Sequence, residues 1–139
     1  MIVQKSHAFS PAGLFVVASV MLTGVAPAAK AAPPSFSSTV QPIFTDNCVA
    51  CHQTGSAQQG LVLEGGEAFA HLAGRKSLEA PMSLVTPGQP EQSYLVRKLE
   101  GTHLSAGGAG ARMPLGGAPL SAAELETIRQ WVAAGAQNN

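Results

Sequence analysis

Cys48-Val49-Ala50-Cys51-His52 holds both cysteines of this 139-residue chain, and the spacing decides how the rest is read. A C-x-x-C-H run is the attachment signature of a c-type haem. Two thiols three positions apart lie on nearly one side of a helical turn, where both can add to the vinyl groups of one porphyrin. The adjoining imidazole then meets the iron from the proximal face. Three other chemistries compete for these residues. A thioredoxin-like C-x-x-C wants a βαβ context, and the flanking sequence offers none. A zinc site needs further ligands; His71 or His103 would supply one, but the second cysteine pair of a zinc ribbon is missing. A plain disulfide at this spacing is a poor staple, because it closes almost no loop. The sequence therefore predicts one haem c, bound covalently through Cys48 and Cys51, with His52 on the iron.

The first residues follow a different grammar. Lys5 and His7 make a short basic start, Leu14 to Ala26 is an apolar run, and Ala29-Lys30-Ala31 fits a small-x-small cleavage site. The apolar run falls short of the roughly twenty residues a spanning helix needs. Residues 1–31 thus read as a secretory signal peptide, with the mature chain starting near Ala32 and Ala26-Pro27-Ala28 as the second cleavage choice. An uncleaved anchor is the alternative. Export suits the motif, since thioether attachment of haem takes place outside the cytoplasmic membrane, and a periplasmic or otherwise exported location is expected. The mature chain is expected to carry no membrane span.

Residues 32–139 carry six Lys/Arg and eight Asp/Glu, with no basic cluster. That argues against nucleic acid and against an anionic membrane surface, and it leaves room for a partner with a basic docking patch. Aromatic residues in this part are few: Phe36, Phe44, Phe69, Tyr94 and Trp131. A porphyrin is expected to sit at the centre of so small a core, and the chain without it to fold poorly.

Residues 32–35 read as a short linker, 36–136 as the domain and 137–139 as a C-terminal tail. A helix can start near Ser38 or Thr39, with Pro42 in its first turn, and run into Cys48. Leu61-Val62-Leu63 is a brief extended run, and Glu67 to Ala73 a short helix stopped by Gly74. Pro90 opens a helix that runs through Tyr94 and Leu99 to Gly101. Gly101 to Ala118 holds six glycines and reads as loop, with little of its own to anchor it. Ser121-Ala122-Ala123-Glu124 is a capping box, flanked by Leu120 and Leu125 as a hydrophobic staple. Leu125, Ile128, Trp131 and Val132 share one face of the helix it opens.

The distal side of the iron has four candidate ligands: Met82, Met113, His71 and His103. Met113 is the best placed, in a glycine-bordered loop with Pro114 after it, where a thioether has little reason to be core. His103 is the alternative, although a position behind the ligand or toward solvent suits it better. His71 reads as surface. Arg112 either reaches a porphyrin carboxylate or is solvated, and Trp131 reads as core before it reads as a carboxylate partner.

The haem motif, Arg112-Met113-Pro114 and Trp131-Val132-Ala133-Ala134-Gly135-Ala136 together resemble a small single-haem cytochrome c. More narrowly, Val40-Gln41-Pro42-Ile43-Phe44, Gly60-Leu61-Val62-Leu63, Val85-Thr86-Pro87-Gly88 and Ser93-Tyr94-Leu95 are similar to the planctomycete-type cytochrome c domains. The resemblance implies an all-α fold of three to four helices packed around a covalently attached haem. It also implies a crossing of the helix before the motif with the last helix, and His52 and Met113 as the axial pair.

The expected function is electron transfer with redox partner proteins, not catalysis. No nucleophile motif, phosphate loop or dinucleotide glycine pattern appears. Two other readings stay open: a haem subunit of a larger periplasmic oxidoreductase complex, and a haem enzyme or gas sensor with a labile distal ligand.

Overall fold

Ser35 starts the helical structure. Its Oγ accepts the Ser38 N–H at 3.4 Å and caps a wide π-helical turn, Phe36–Val40, which runs straight into α1, Gln41–Asn47. The helical segment therefore begins at Phe36, ahead of the Ser38–Thr39 start that its sequence suggested, because Ser35 does the capping. Pro42 sits in the first turn of α1, where its missing N–H is tolerated. Three further α-helices follow: α2, Ala68–Leu72; α3, Tyr94–Glu100; and α4, Ala122–Ala133. This is a computed structural model; it describes residues 1–2 and 31–139, and residues 31–139 pack as one unit. Of the expected leader, residues 1–31, all but residues 1, 2 and 31 lie outside the described residues.

Among the described residues there is no strand, only isolated bridges pairing Ala73 with Val85, Lys76 with Ser83, and Ser83 with Ser93. The fold is all-α with four helices, and none of the described helices is long and apolar enough to cross a membrane.

The helix ends obey local chemistry. The capping box is complete: Ser121 Oγ accepts the Glu124 N–H at 3.2 Å and Glu124 Oε2 accepts the Ser121 N–H at 2.8 Å. The Ser121 hydroxyl, which donates to the same Oε2 at 2.7 Å, and then the Ser121 N–H hold the Glu124 carboxyl below the usual carboxylate range. At the end of α3, Gly101 takes a left-handed φ of 82° and its N–H bonds Arg97 O, a stop that a β-carbon would strain.

The core forms where α4 lies against α3 and the π-helical turn. Phe36, Phe44, Val96, Ile128, Trp131 and Val132 are all buried there. The Phe36 ring lies 5.1 Å from Trp131 and 5.4 Å from Phe69, centroid to centroid. The last helix therefore meets the first turn of the helical segment that leads into the motif, and Asn47 at the end of α1 donates to Glu124 Oε1 at 3.3 Å. Asn139, in the segment read as a C-terminal tail, closes the same region. Its Oδ1 accepts the Phe36 N–H and its carbonyl accepts the Ser37 N–H, both at 2.8 Å. On the outside, Arg129 of α4 pairs with Glu91 and Glu100.

Candidate cofactor site

The C-x-x-C-H run folds as the turn that leaves α1. Cys48 N–H bonds Phe44 O at 2.8 Å, Cys51 N–H bonds Cys48 O at 3.1 Å, and His52 N–H bonds Cys48 O at 3.0 Å. Tight turning brings both thiols and the imidazole to one wall of a cavity of about 630 Å³, a size within the roughly 300–1,000 Å³ of small-molecule and cofactor sites. Both cysteines are free, Cys48 half-buried and Cys51 exposed. Burial, with Cys51 and Glu124 adding to it, pushes the Cys48 thiol up to about 11.

The brief extended run Leu61-Val62-Leu63 turns out to be the support of His52. Leu63 N–H bonds His52 O at 2.7 Å, and Leu61 O lies 3.0 Å from His52 Nδ1. A carbonyl can only accept, so Nδ1 carries the proton and Nε2 keeps its lone pair. Ring-nitrogen donation to a backbone carbonyl is how a metal-ligating histidine is usually oriented.

Met113 lines the same cavity and packs against the core. Its N–H bonds Lys98 O at 3.2 Å, and the Met113–Pro114 peptide is cis. The structure thus brings Cys48, Cys51, His52 and Met113 around one cavity. Met82 is half-buried and does not line it.

The other side chains that the sequence singled out have definite places, Trp131 in the core as read and others not. His71 is half-buried on the cavity wall, not on the surface, and its Nδ1 accepts the Val62 N–H at 3.4 Å. His103, expected behind the ligand or toward solvent, is 2 % exposed; it does not line the cavity, and its Nε2 lies 2.9 Å from Gly110 O. The turn of 3-10 helix His103–Ala106 puts it there, inside a stretch read as plain loop. Arg112 spends its Nε on Leu99 O at 2.8 Å, and Trp131 donates its indole N–H to Gln137 O at 2.9 Å. Neither lines the cavity. Nor does any phenylalanine, although Leu63, Leu95 and Leu99 belong both to the core and to the cavity wall.

A polar cluster missed in the sequence forms part of the cavity wall. Lys98 Nζ pairs with Glu79 Oε2 at 2.5 Å, and Tyr94 O–H donates to the same oxygen at 2.7 Å. Burial alone would raise the Glu79 carboxyl, but the bonds from Lys98 and Tyr94 outweigh it and hold it below the usual range. Tyr94 in turn is pushed up to about 12, by burial first and by its bond to Glu79 second. Tyr94 and Lys98 are one turn apart on α3, which the sequence could have shown; Glu79 comes from a distant segment, which it could not.

Leu78 and Leu115 line the cavity and are 76 % and 71 % exposed, so they mark its mouth. Arg75 and Lys76, both exposed, line it as well. Among the described residues no group of three or more His, Cys, Asp or Glu side chains is placed to hold a metal ion.

No protein-family model matches the chain, and a search of the curated proteins finds no match. Among solved structures, Kuenenia stuttgartiensis hydrazine synthase is similar over 76 % of this chain, at 23 % identity and a TM-score of 0.49. The chain spans 16 % of that protein's chain.

Proposed function

We propose that this protein is an exported single-haem c-type cytochrome that carries electrons. One observation carries the reading: two thiols, an imidazole with a free Nε2 and a thioether line one cavity, and Leu61 O holds that imidazole in the ligating tautomer. The donor set fits an iron porphyrin. Cys48 and Cys51 would hold it by thioethers, His52 Nε2 would take one axial position and Met113 the other. Burial lowers the thiolate fraction of Cys48 below that of an ordinary thiol, which slows its addition to a vinyl group. When bound, the haem supplies one-electron oxidation and reduction. The chain's own part is to hold both ligating groups in place through the hydrogen bonds with Leu61, Leu63 and Lys98, so that little moves between the two charge states.

The partner would meet the mouth of the cavity. Leu78 and Leu115 give that rim an apolar surface, and Arg75 and Lys76 stand beside it, whereas Glu79 is already neutralised by Lys98. The rim is therefore locally basic although residues 32–139 carry more acidic than basic side chains. A partner with carboxylates around its docking face suits it, in place of the basic patch that composition favoured.

Mass spectrometry of the isolated protein tests the haem directly. The expected mass is the processed chain plus one haem, with colour that stays in the protein after acid–acetone extraction. Extractable haem, or a mass two hydrogens below the plain polypeptide, would overturn the proposal.

A further inference from the structure

The stretch that carries Met113 has five glycines between Gly107 and Gly117, and such a backbone loses much conformational entropy when it is ordered. Iron would be one tether, but the structure contains another. Lys98 grips the loop at two points: Nζ donates to Ala109 O at 2.5 Å, and its own carbonyl accepts the Met113 N–H at 3.2 Å. The next carbonyl, Gly110 O, is taken by His103 Nε2 at 2.9 Å. Arg112 Nε adds a bond to Leu99 O.

Lys98 is 8 % exposed, and a lysine is seldom buried so far unless it is paired. Its ion pair with Glu79 is the compensation. A buried pair of this kind is a poor source of net stability compared with apolar packing, so its use here lies in fixing a position. We infer that Lys98 is a positioning residue for Met113: with Glu79 neutralising it from behind, it holds the methionine loop over the cavity whether or not the sulfur has a bond to make.

Gly108 belongs to the same device. A β-carbon there would fall 2.6 Å from Tyr94 Oη and 2.8 Å from His103 O, so any side chain must push the loop off α3. Gly108→Ala therefore disturbs the clamp from the loop side while leaving Lys98 and Glu79 in place.

Amide hydrogen exchange at Met113, read on the isolated holoprotein, separates the two tethers. In Met113→Ala the residue-113 amide should stay within about threefold of wild type, because its acceptor is Lys98 O. In Lys98→Met/Glu79→Gln, and in Gly108→Ala, it should exchange at least about tenfold faster, with Lys98→Arg closer to wild type. The same clamp variants should let ferrous haem bind carbon monoxide, since Met113 no longer stays in place. The carbon monoxide arm rests on the haem reading, and a protein whose mass shows no haem would remove that arm alone. If Met113→Ala frees the amide as much as the clamp variants do, or if the clamp variants leave both exchange and carbon monoxide binding unchanged, Lys98 is not a positioning residue.

Discussion

His52 and Leu61 are joined by an Nδ1–H···O bond of 3.0 Å, nine residues apart in sequence. The bond fixes both the tautomer and the plane of the imidazole, and Leu63 N–H on His52 O fixes its backbone. In His52→Ala the two cysteines can still hold a porphyrin, but the axial nitrogen is gone. The expected product is a poorly accumulated, high-spin haem protein. A low-spin visible spectrum matching wild type would mean that another side chain, with His71 on the same wall as first suspect, supplies the nitrogen.

Met113 and His103 are separated by the same logic. Met113→Ala should open the distal position, giving a high-spin or exchanging haem, and Met113→His should keep it low-spin at a lower reduction potential. Met82→Ala should leave the spectrum unchanged. His103→Ala should also leave it unchanged but lower stability by about 1–3 kcal/mol, through the lost Gly110 bond and the cavity left behind. A His103→Ala protein with altered ligation and wild-type stability would make His103 the ligand.

What the sequence made legible was chemistry that lies close along the chain. The tight turn of Cys48–His52, the Ser121 capping box and the Gly101 stop each depend on residues within a few positions. The cavity's far wall was not legible, because Glu79 meets Tyr94 and Lys98 only after the chain folds back, and an acidic residue in a loop looks solvated. His71 and His103 were exchanged in effect. A histidine on a short helix was read as surface and one among glycines as lying behind the ligand or toward solvent, yet long-range packing faces the first to the cavity and buries the second. Nor could spacing show that Phe36, Phe69 and Trp131 pack together, since they lie far apart along the chain.

The last helix carries a measurable share of stability. Ser121→Ala removes the acceptor for Glu124 N–H and should cost about 1 kcal/mol. Trp131→Ala, at the centre of the aromatic cluster, should cost about 3–5 kcal/mol. Both are read from denaturant midpoints at constant slope, and neither variant should shift the visible spectrum. A Trp131→Ala protein as stable as wild type would show that the cluster does not form.

The Glu79 cluster sets a pH dependence with two limbs. Its carboxyl titrates below its ordinary value in the folded state, so its stabilisation is fully present above the ordinary glutamate value of about 4.3 and is lost as pH falls through the folded value. Tyr94, raised to about 12, acts in the opposite direction: its share is present below about 10 and is lost as pH rises through the folded value. Thermal midpoints measured across pH should fall at both ends. Glu79→Gln should flatten the acid limb and Tyr94→Phe the alkaline one; acid limbs of equal steepness in wild type and Glu79→Gln would show that the carboxyl is not held low.

The two cysteines should differ in a chain prepared without haem. Cys48 packs against the core, and its thiol is raised to about 11 by burial, then by Cys51 and Glu124, whereas Cys51 is exposed. Since the thiolate is the nucleophile, iodoacetamide near pH 8 should alkylate Cys51 at least about tenfold faster than Cys48, as read by peptide mass after quenching. Adding denaturant should bring the two rates together. The comparison also decides whether the chain needs a porphyrin to fold. Phe36, Phe44 and Trp131 form their cluster away from the cavity, so a core is expected in its absence and the rates should stay apart in buffer. Equal rates in buffer and in denaturant would mean instead that α1 and the turn after it are held in place only once the cysteines are occupied.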